Sequence, residues 1–245
     1  MWPAAQRPGM DIRGERECAD CGQRWSYYET GSVTCPECGS IQSVGIGERK
    51  THTAGTESLD LSAIKGNIDD EPLDTLAAEA SEQCRDYVKT VGFIHAGELQ
   101  PLSEEYLAAC ELRRVGTTLS RVMQIDDSEK LYFLELLRGA DTGERPGPEA
   151  VPERLRPERG LAVAAATSAY LSDLRQYLDN REQSVDSVLS AITAHRKRIE
   201  ALDGDVDPTE AEQLVRAIRD LSTYLREDDE TALARALDRL DTEQL

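Results

Sequence analysis

Four cysteines stand in two matching turns, Cys18-Ala19-Asp20-Cys21-Gly22 and Cys35-Pro36-Glu37-Cys38-Gly39. Two residues between paired cysteines let one tight turn present both sulfurs to a single ion. A glycine directly after each pair supplies the positive φ such a turn often requires, and Pro36 stiffens the second turn. Set face to face, the turns make a tetrahedral S4 site, the closed geometry of structural zinc. The expected ligands are Cys18, Cys21, Cys35 and Cys38, holding one structural Zn2+, with iron as the alternative occupant. A segment of about 40 residues buries too little core to fold alone, so the metal is expected to supply its folding free energy.

The elements that must position these ligands are short. β-type runs at Arg24 to Tyr28 and Ser32 to Thr34, joined by a turn at Glu29-Thr30-Gly31-Ser32, predict a small hairpin between the knuckles. Residues 10–50 therefore read as one small β ribbon, behind a disordered leader at 1–9, with Met10 as an alternative native start. Residues 51–71 are polar and read as a linker, with one helical turn near Leu59 to Ile64. From Pro72 the apolar residues recur at steps of three and four: Leu73, Leu76, Ala77, Ala80, Cys84, Tyr87 and Val88.

Further helices are expected at Ser103 to Met123, at Ser128 to Gly139 and at Glu158 to Asp179. The third of the early helices should be buried through Leu131-Tyr132-Phe133-Leu134. Another helix begins at Asn180 with a capping box to Gln183. One capped by Asp207 with Pro208 at its first turn follows, and a last runs from Glu230 to Leu240. Four prolines (Pro146, Pro148, Pro152 and Pro157) split the helical region. The fold class is thus a small β zinc ribbon followed by an all-α region of antiparallel helices, with a subdomain at 72–140, a Pro-rich connection at 141–157 and a hairpin or three-helix bundle at 158–245.

Composition limits the function classes. Hydrophobic residues make up 39% of the 245 and charged residues 31%, which suits a soluble chain rich in solvated helix surface. No apolar run approaches the length of a membrane span, and the opening residues lack the apolar centre of a secretory signal. Cysteines in metal-type pairs then imply a reducing cytoplasm. The formal net charge is −19, and lysine is confined to Lys50, Lys65, Lys89, Lys130 and Lys197, with arginine carrying the rest of the positive charge. This bias resembles proteins of salt-in halophilic archaea, in which molar salt shrinks the Debye length to about 3 Å and screens self-repulsion. The acidity then reports on solvent as much as on partners.

Over residues 15–45 the paired knuckles resemble the zinc-ribbon family, which includes the amino-terminal ribbon of archaeal transcription factor IIB and ribbons of RNA polymerase subunits. That resemblance implies the four cysteines as ligands and a setting near nucleic-acid machinery. A ribbon followed by an acidic helical region also resembles uncharacterised haloarchaeal ribbon proteins. The same knuckles resemble rubredoxin, which implies a redox-active Fe(Cys)4 centre. In rubrerythrins such knuckles are fused to a di-iron bundle, which needs Glu-x-x-His. Here Arg49, Gly92 and Ile192 stand three residues before His52, His95 and His195, so a di-iron bundle is excluded.

Other candidate features have plainer readings. Trp25, Tyr27 and Tyr28 could stack bases, but covering a metal site is the favoured use. Acidic residues outnumber basic ones between Met10 and Thr53, opposite to a phosphate-binding surface. His195 lies on the apolar stripe between Ile192 and Ile199 and reads as a packed histidine. His52 and His95 stand alone in sequence. Cys84 and Cys110 read as small hydrophobes. Asp203, Asp205 and Asp207 lack the glycine and glutamate of a calcium loop and read as a turn with a cap. With no catalytic constellation in view, the expectation is a non-enzymatic zinc-binding protein that serves as an interaction or adaptor module. Its helical region would meet a protein partner or a second copy, and nucleic acid is a weaker candidate for a partner.

Overall fold

Short extended segments come first in the chain and long helices after, and the computed structural model keeps that order over the residues it describes, 10–178 and 183–241. Small antiparallel strands precede a mostly helical region, as the periodicity predicts. The chain forms two units. One takes residues 10–57, 90–100 and 169–178; the other takes 58–89, 101–168 and 183–241.

In the first unit β1 (Met10–Ile12) pairs antiparallel with β5 (Lys50–His52), Met10 lying opposite His52. A three-stranded sheet runs in the order β3-β2-β4, with β2 (Glu15–Cys18) between β3 (Arg24–Ser26) and β4 (Ser43–Ile46). Its register sets Arg16 opposite Trp25 and Cys18 opposite Ser43. Tyr27 and Tyr28 do not extend β3. They open a single helical turn, α1 (Tyr27–Thr30), which Gly31 ends in the left-handed region at φ 62°. Ser32 to Thr34 do not pair as a strand either, because the Ser32 carbonyl accepts the Trp25 indole N–H at 3.0 Å instead of a ladder bond.

A two-residue hairpin, β6 (Ile94–His95) and β7 (Glu98–Leu99), turns at Ala96-Gly97, both at positive φ. Buried Asp173 ties this hairpin down, accepting from the Phe93 N–H and the Thr53 hydroxyl, each at 2.6 Å. The segment 51–71 accordingly begins inside β5 and ends beyond α2 (Ser62–Gly66).

In the second unit, α3 (Leu73–Thr90) and α4 (Glu104–Leu119) approach closely enough that a Cβ on Gly116 would lie 2.5 Å from the Ala77 carbonyl oxygen. α4 starts where the Ser103 hydroxyl accepts from Tyr106 N–H. α5 (Asp127–Gly139) starts at a full capping box between Asp126 and Glu129. The acidic pair Asp126-Asp127 is therefore a helix start. Tyr132 and Phe133 are buried as expected, but Leu131 is 63% exposed, because a helix turns successive residues to different faces.

Residues 140–155 form three short 3-10 turns, the form a proline-rich stretch can take without an α ladder. α6 (Arg156–Tyr177) follows, then α7 (Gln183–Ala201), α8 (Pro208–Glu227) and α9 (Glu230–Asp241). Asp207 caps α8, accepting from Thr209 N–H at 2.7 Å. The expected Asn180–Gln183 cap and the leader at 1–9 lie outside the described residues. Among the described residues no helix is long and apolar enough to cross a membrane.

Candidate metal centre

The two knuckles repeat one backbone pattern. The Cys18 N–H donates to the Gln23 carbonyl at 2.8 Å and the Gly22 N–H returns to the Cys18 carbonyl at 3.1 Å. The Cys35 N–H donates to Ser40 at 2.8 Å and the Gly39 N–H returns to Cys35 at 3.0 Å. Each turn closes only with left-handed backbone at its glycine, φ 75° at Gly22 and 72° at Gly39. The last residue of β2 is Cys18, so the sheet itself aims the first ligand. A cross-knuckle bond from the Ser40 hydroxyl to Asp20 fixes one turn against the other.

This frame brings all four sequence-predicted ligands together. Their sulfurs lie within 4.8 Å of one another, with Cys18–Cys38 and Cys21–Cys35 each at 3.6 Å. A tetrahedron of sulfurs about 2.3 Å from a central ion has edges of about 3.8 Å, so the donor set has the span a metal ion needs. The thiols also disfavour standing without a cation. The Cys21 N–H is the chief cause that draws the Cys18 thiol down to about 7, against the effect of burial. At Cys21 the Gln23 N–H favours the thiolate, but Cys38, burial and the other two cysteines outweigh it and push the thiol up to about 12. Cys38 is also raised, with burial, Cys18 and Cys35 overcoming the Ser40 N–H and Cys21. One thiolate therefore forms easily and the next ones meet its charge, a conflict that a bound divalent cation removes.

Cys18 and Cys35 are buried with Trp25 in one small cluster, while Cys21 and Cys38, one from each knuckle, are exposed. Trp25 thus covers the site rather than offering a stacking face. Three apolar side chains remain in water beside the knuckles: Val33 (45% exposed), Ile41 (77%) and Val44 (57%). Tyr28 is also buried, but it packs elsewhere. Its ring lies 4.9 Å from that of His52, and its hydroxyl donates to the Ile12 carbonyl at 2.9 Å.

Two groupings escaped the sequence reading. His52 and His95, isolated in sequence, have ring centroids 5.2 Å apart because β5 and β6 lie together. In the helical unit, Glu111 is fully buried and accepts from Arg145 and Arg159, both of which also bond Glu212. The Tyr132 hydroxyl donates to Glu111, and the Pro146 carbonyl accepts from Arg159 at 2.9 Å. A signal was present: Glu111 sits four residues from Leu107 and from Val115, on the apolar stripe of α4.

The pairing keeps both arginines charged. Burial would lower them, but Glu111, foremost among the neighbours, raises each. A cavity of about 570 Å³ opens beside Arg145 and Arg159, with Glu104, Glu144 and Arg216 also on its wall. Cys84 and Cys110 are free and buried, and burial raises both thiols, Cys110 to about 11. The ring of His195 meets the Leu240 carbonyl at 3.0 Å, the packed role expected of it.

Residues 10–240 match the model of a family described as a family of unknown function, DUF7117. No curated protein and no solved structure matches the chain.

Proposed function

The chain belongs to DUF7117, a family of unknown function, and we propose that it is a zinc-dependent adaptor. In this reading Cys18, Cys21, Cys35 and Cys38 hold one Zn2+, and the ion folds the knuckles into a rigid recognition knob. The observation that carries the reading is the exposure of Val33, Ile41 and Val44 next to the four-cysteine cluster. A metal-stiffened platform that leaves three branched apolar side chains in water is suited to docking a protein, since such patches mark interaction sites. The helical region would carry a second surface for a partner or another copy. The chain is proposed to act without catalysis, because the charges at Glu111, Arg145, Arg159 and Glu212 pair with one another. Work near transcription or other nucleic-acid machinery is proposed on the ribbon resemblance alone.

One specific observation favours a second reading. Cys21 and Cys38 are exposed, so an iron ion in the same site would have an open edge for electron exchange.

Elemental analysis of protein from its native host, with an absorption spectrum, separates the two. About one zinc per chain and no visible band supports the adaptor. Iron with a thiolate band that bleaches on reduction replaces it with electron transfer. The docking claim has its own test in high-salt affinity capture with wild type and Ile41→Asp. Partners retained by wild type and lost from the variant support the knob; identical captures overturn it.

A further inference from the structure

His52 and His95 stand in the first unit, away from the cysteine cluster, and the proposed adaptor role makes no use of them. The Nδ1 atom of His52 accepts a hydrogen bond from the Ala96 N–H at 3.2 Å. An imidazole nitrogen can accept only while it carries no proton, so this contact requires neutral His52 with its proton on Nε2. Ala96 is held at φ 52°, a left-handed conformation that costs free energy in a residue with a Cβ. The hydrogen bond that its N–H donates to His52 is one of the contacts that stabilise this conformation.

Ala96 and His95 also form part of the wall of a cavity of about 220 Å³, together with Glu15, Tyr28, Glu48 and Lys50.

We propose that His52 is a proton-sensitive latch: neutral, it fixes the Ala96-Gly97 turn; protonated, it loses its acceptor, releases the Ala96 amide and lets the cavity wall move. The rest of the hairpin stays attached, because Gly97 N–H donates to the Thr51 carbonyl at 2.8 Å and Thr53 N–H to the Ile94 carbonyl at 2.9 Å. The change is therefore confined to the turn.

The neighbours of His52 oppose its protonation. His95 faces it edge-on at 5.2 Å, and Tyr28 lies 4.9 Å from it and 6.2 Å from His95, so the three rings form a triangle. Burial, and after it the charge of His95, hold His52 below the ordinary histidine range. The other charged groups on the surrounding elements are Asp11 on β1, Glu15, Arg16 and Glu17 on β2, Glu29 on α1, Lys50 on β5, Glu48 and Arg49 before it, Glu98 on β7 and Asp173, which accepts from Thr53. These groups set the field into which the released turn moves. None of them bonds to the His52 ring in the arrangement described, in which its nitrogen partner is Ala96.

The test uses the full, zinc-loaded chain, labelled with 15N, in molar KCl. The Ala96 amide and the His52 ring nitrogens are followed from about pH 8 to about pH 5. The expected result is that both move with one midpoint, and that Ala96 amide exchange, corrected for its intrinsic pH dependence, rises about tenfold as the bond is lost. His52→Asn, which offers a carbonyl acceptor that does not titrate, should keep the Ala96 signal and abolish its pH response. His95→Gln should move the midpoint upward by removing the neighbouring charge.

An Ala96 amide that stays put while His52 titrates overturns the latch, as does a pH response that survives in a folded His52→Asn chain. If that variant loses its dispersed spectrum, the wild-type comparison alone decides: coincident midpoints support the latch and separate ones reject it.

Discussion

In the cysteine-bearing unit the strands are two to four residues long and the cluster at the knuckles holds Cys18, Trp25 and Cys35 alone. The helical unit instead buries Leu76, Leu112, Phe133, Leu136 and Ile218 almost completely, and buries Glu111 and Arg159 as well. One region is specified by four clustered cysteine sulfurs on a frame of hydrogen-bonded turns. The other is specified by apolar area, about 1.5–3 kcal/mol for each large side chain buried. A ligand site fails when one atom is lost, because the ion needs its full donor set. A packed core fails gradually, because each contact is one of many. The difference shows where each region is fragile.

The largest effect expected tests that contrast directly. Structural zinc contributes about 10–16 kcal/mol of binding free energy to small metal-folded domains. Chelation, or Cys35→Ser, should therefore erase the dispersed amide signals of residues 15–46 while most of the helical circular dichroism remains. Simultaneous loss of both would mean that the helical unit is not held by its own core, and the contrast would break.

Next in size is the charged centre. Glu111→Ala would remove one of the two carboxylates that Arg145 and Arg159 share, leaving Glu212 as their common partner, at a cost of about 1.5–3 kcal/mol of stability. The denaturation midpoint of the helices should fall while metal content stays at the wild-type value. Replacing the pair together, Glu111→Leu with Arg159→Leu, sharpens the point. If the pair chiefly fixes a unique arrangement, the double variant should recover much of the single variant's loss. A double variant as unstable as Glu111→Ala would show that the network is required for stability itself.

How much of this was readable beforehand depends on range. The four-cysteine cluster was legible because Cys18 with Cys21, and Cys35 with Cys38, each form a local turn whose glycine is adjacent. The helices were legible because a stripe of period 3.6 repeats over many residues, and the cap at Asp207 is local too. Strand Ser32–Thr34 was misread because its residues are good strand formers, while the Trp25 indole, seven residues back, claims the Ser32 carbonyl. The assembly of the first unit was not legible. β1 meets β5 across about forty residues, and Asp173 reaches Thr53 across 120. Neither His52 nor His95 carries any local sign that the other is near. Glu111 was visible as a charge on an apolar stripe, yet its partners Arg145 and Arg159 lie beyond any helical period.

A smaller pair of effects concerns glycine. At Gly22 a new Cβ would meet nothing within 4 Å, so Gly22→Ala is charged only the left-handed backbone, about 1–2 kcal/mol. At Gly116 the backbone is helical and the Cβ would strike the Ala77 carbonyl at 2.5 Å, forcing α3 and α4 apart at a cost of about 1–3 kcal/mol. Metal affinity at the four-cysteine cluster should drop in the first variant alone and helix stability in the second alone. Thermal melts monitored separately by metal release and by ellipticity would show whether the two regions keep their costs apart.

The smallest effect expected is one of pH, and it should fall on one region only. His52 sits below its ordinary range, with burial the larger cause and His95 the second. The unfolded chain therefore takes up the His52 proton at a higher pH than the folded chain does. Stability linked to this group is fully present above the unfolded value of about 6.5 and declines as pH falls from there toward the folded value. The cysteine ligands also take up protons in acid and release metal, so a fall in ribbon stability alone does not identify the histidine. The diagnostic quantity is the difference between wild type and His52→Asn at equal metal loading. That difference should favour wild type above neutrality and shrink or reverse as the solution is acidified, in melts read from the amides of residues 50–54 and 94–99. A difference independent of pH would assign to His52 a packing role against Tyr28 and no proton linkage.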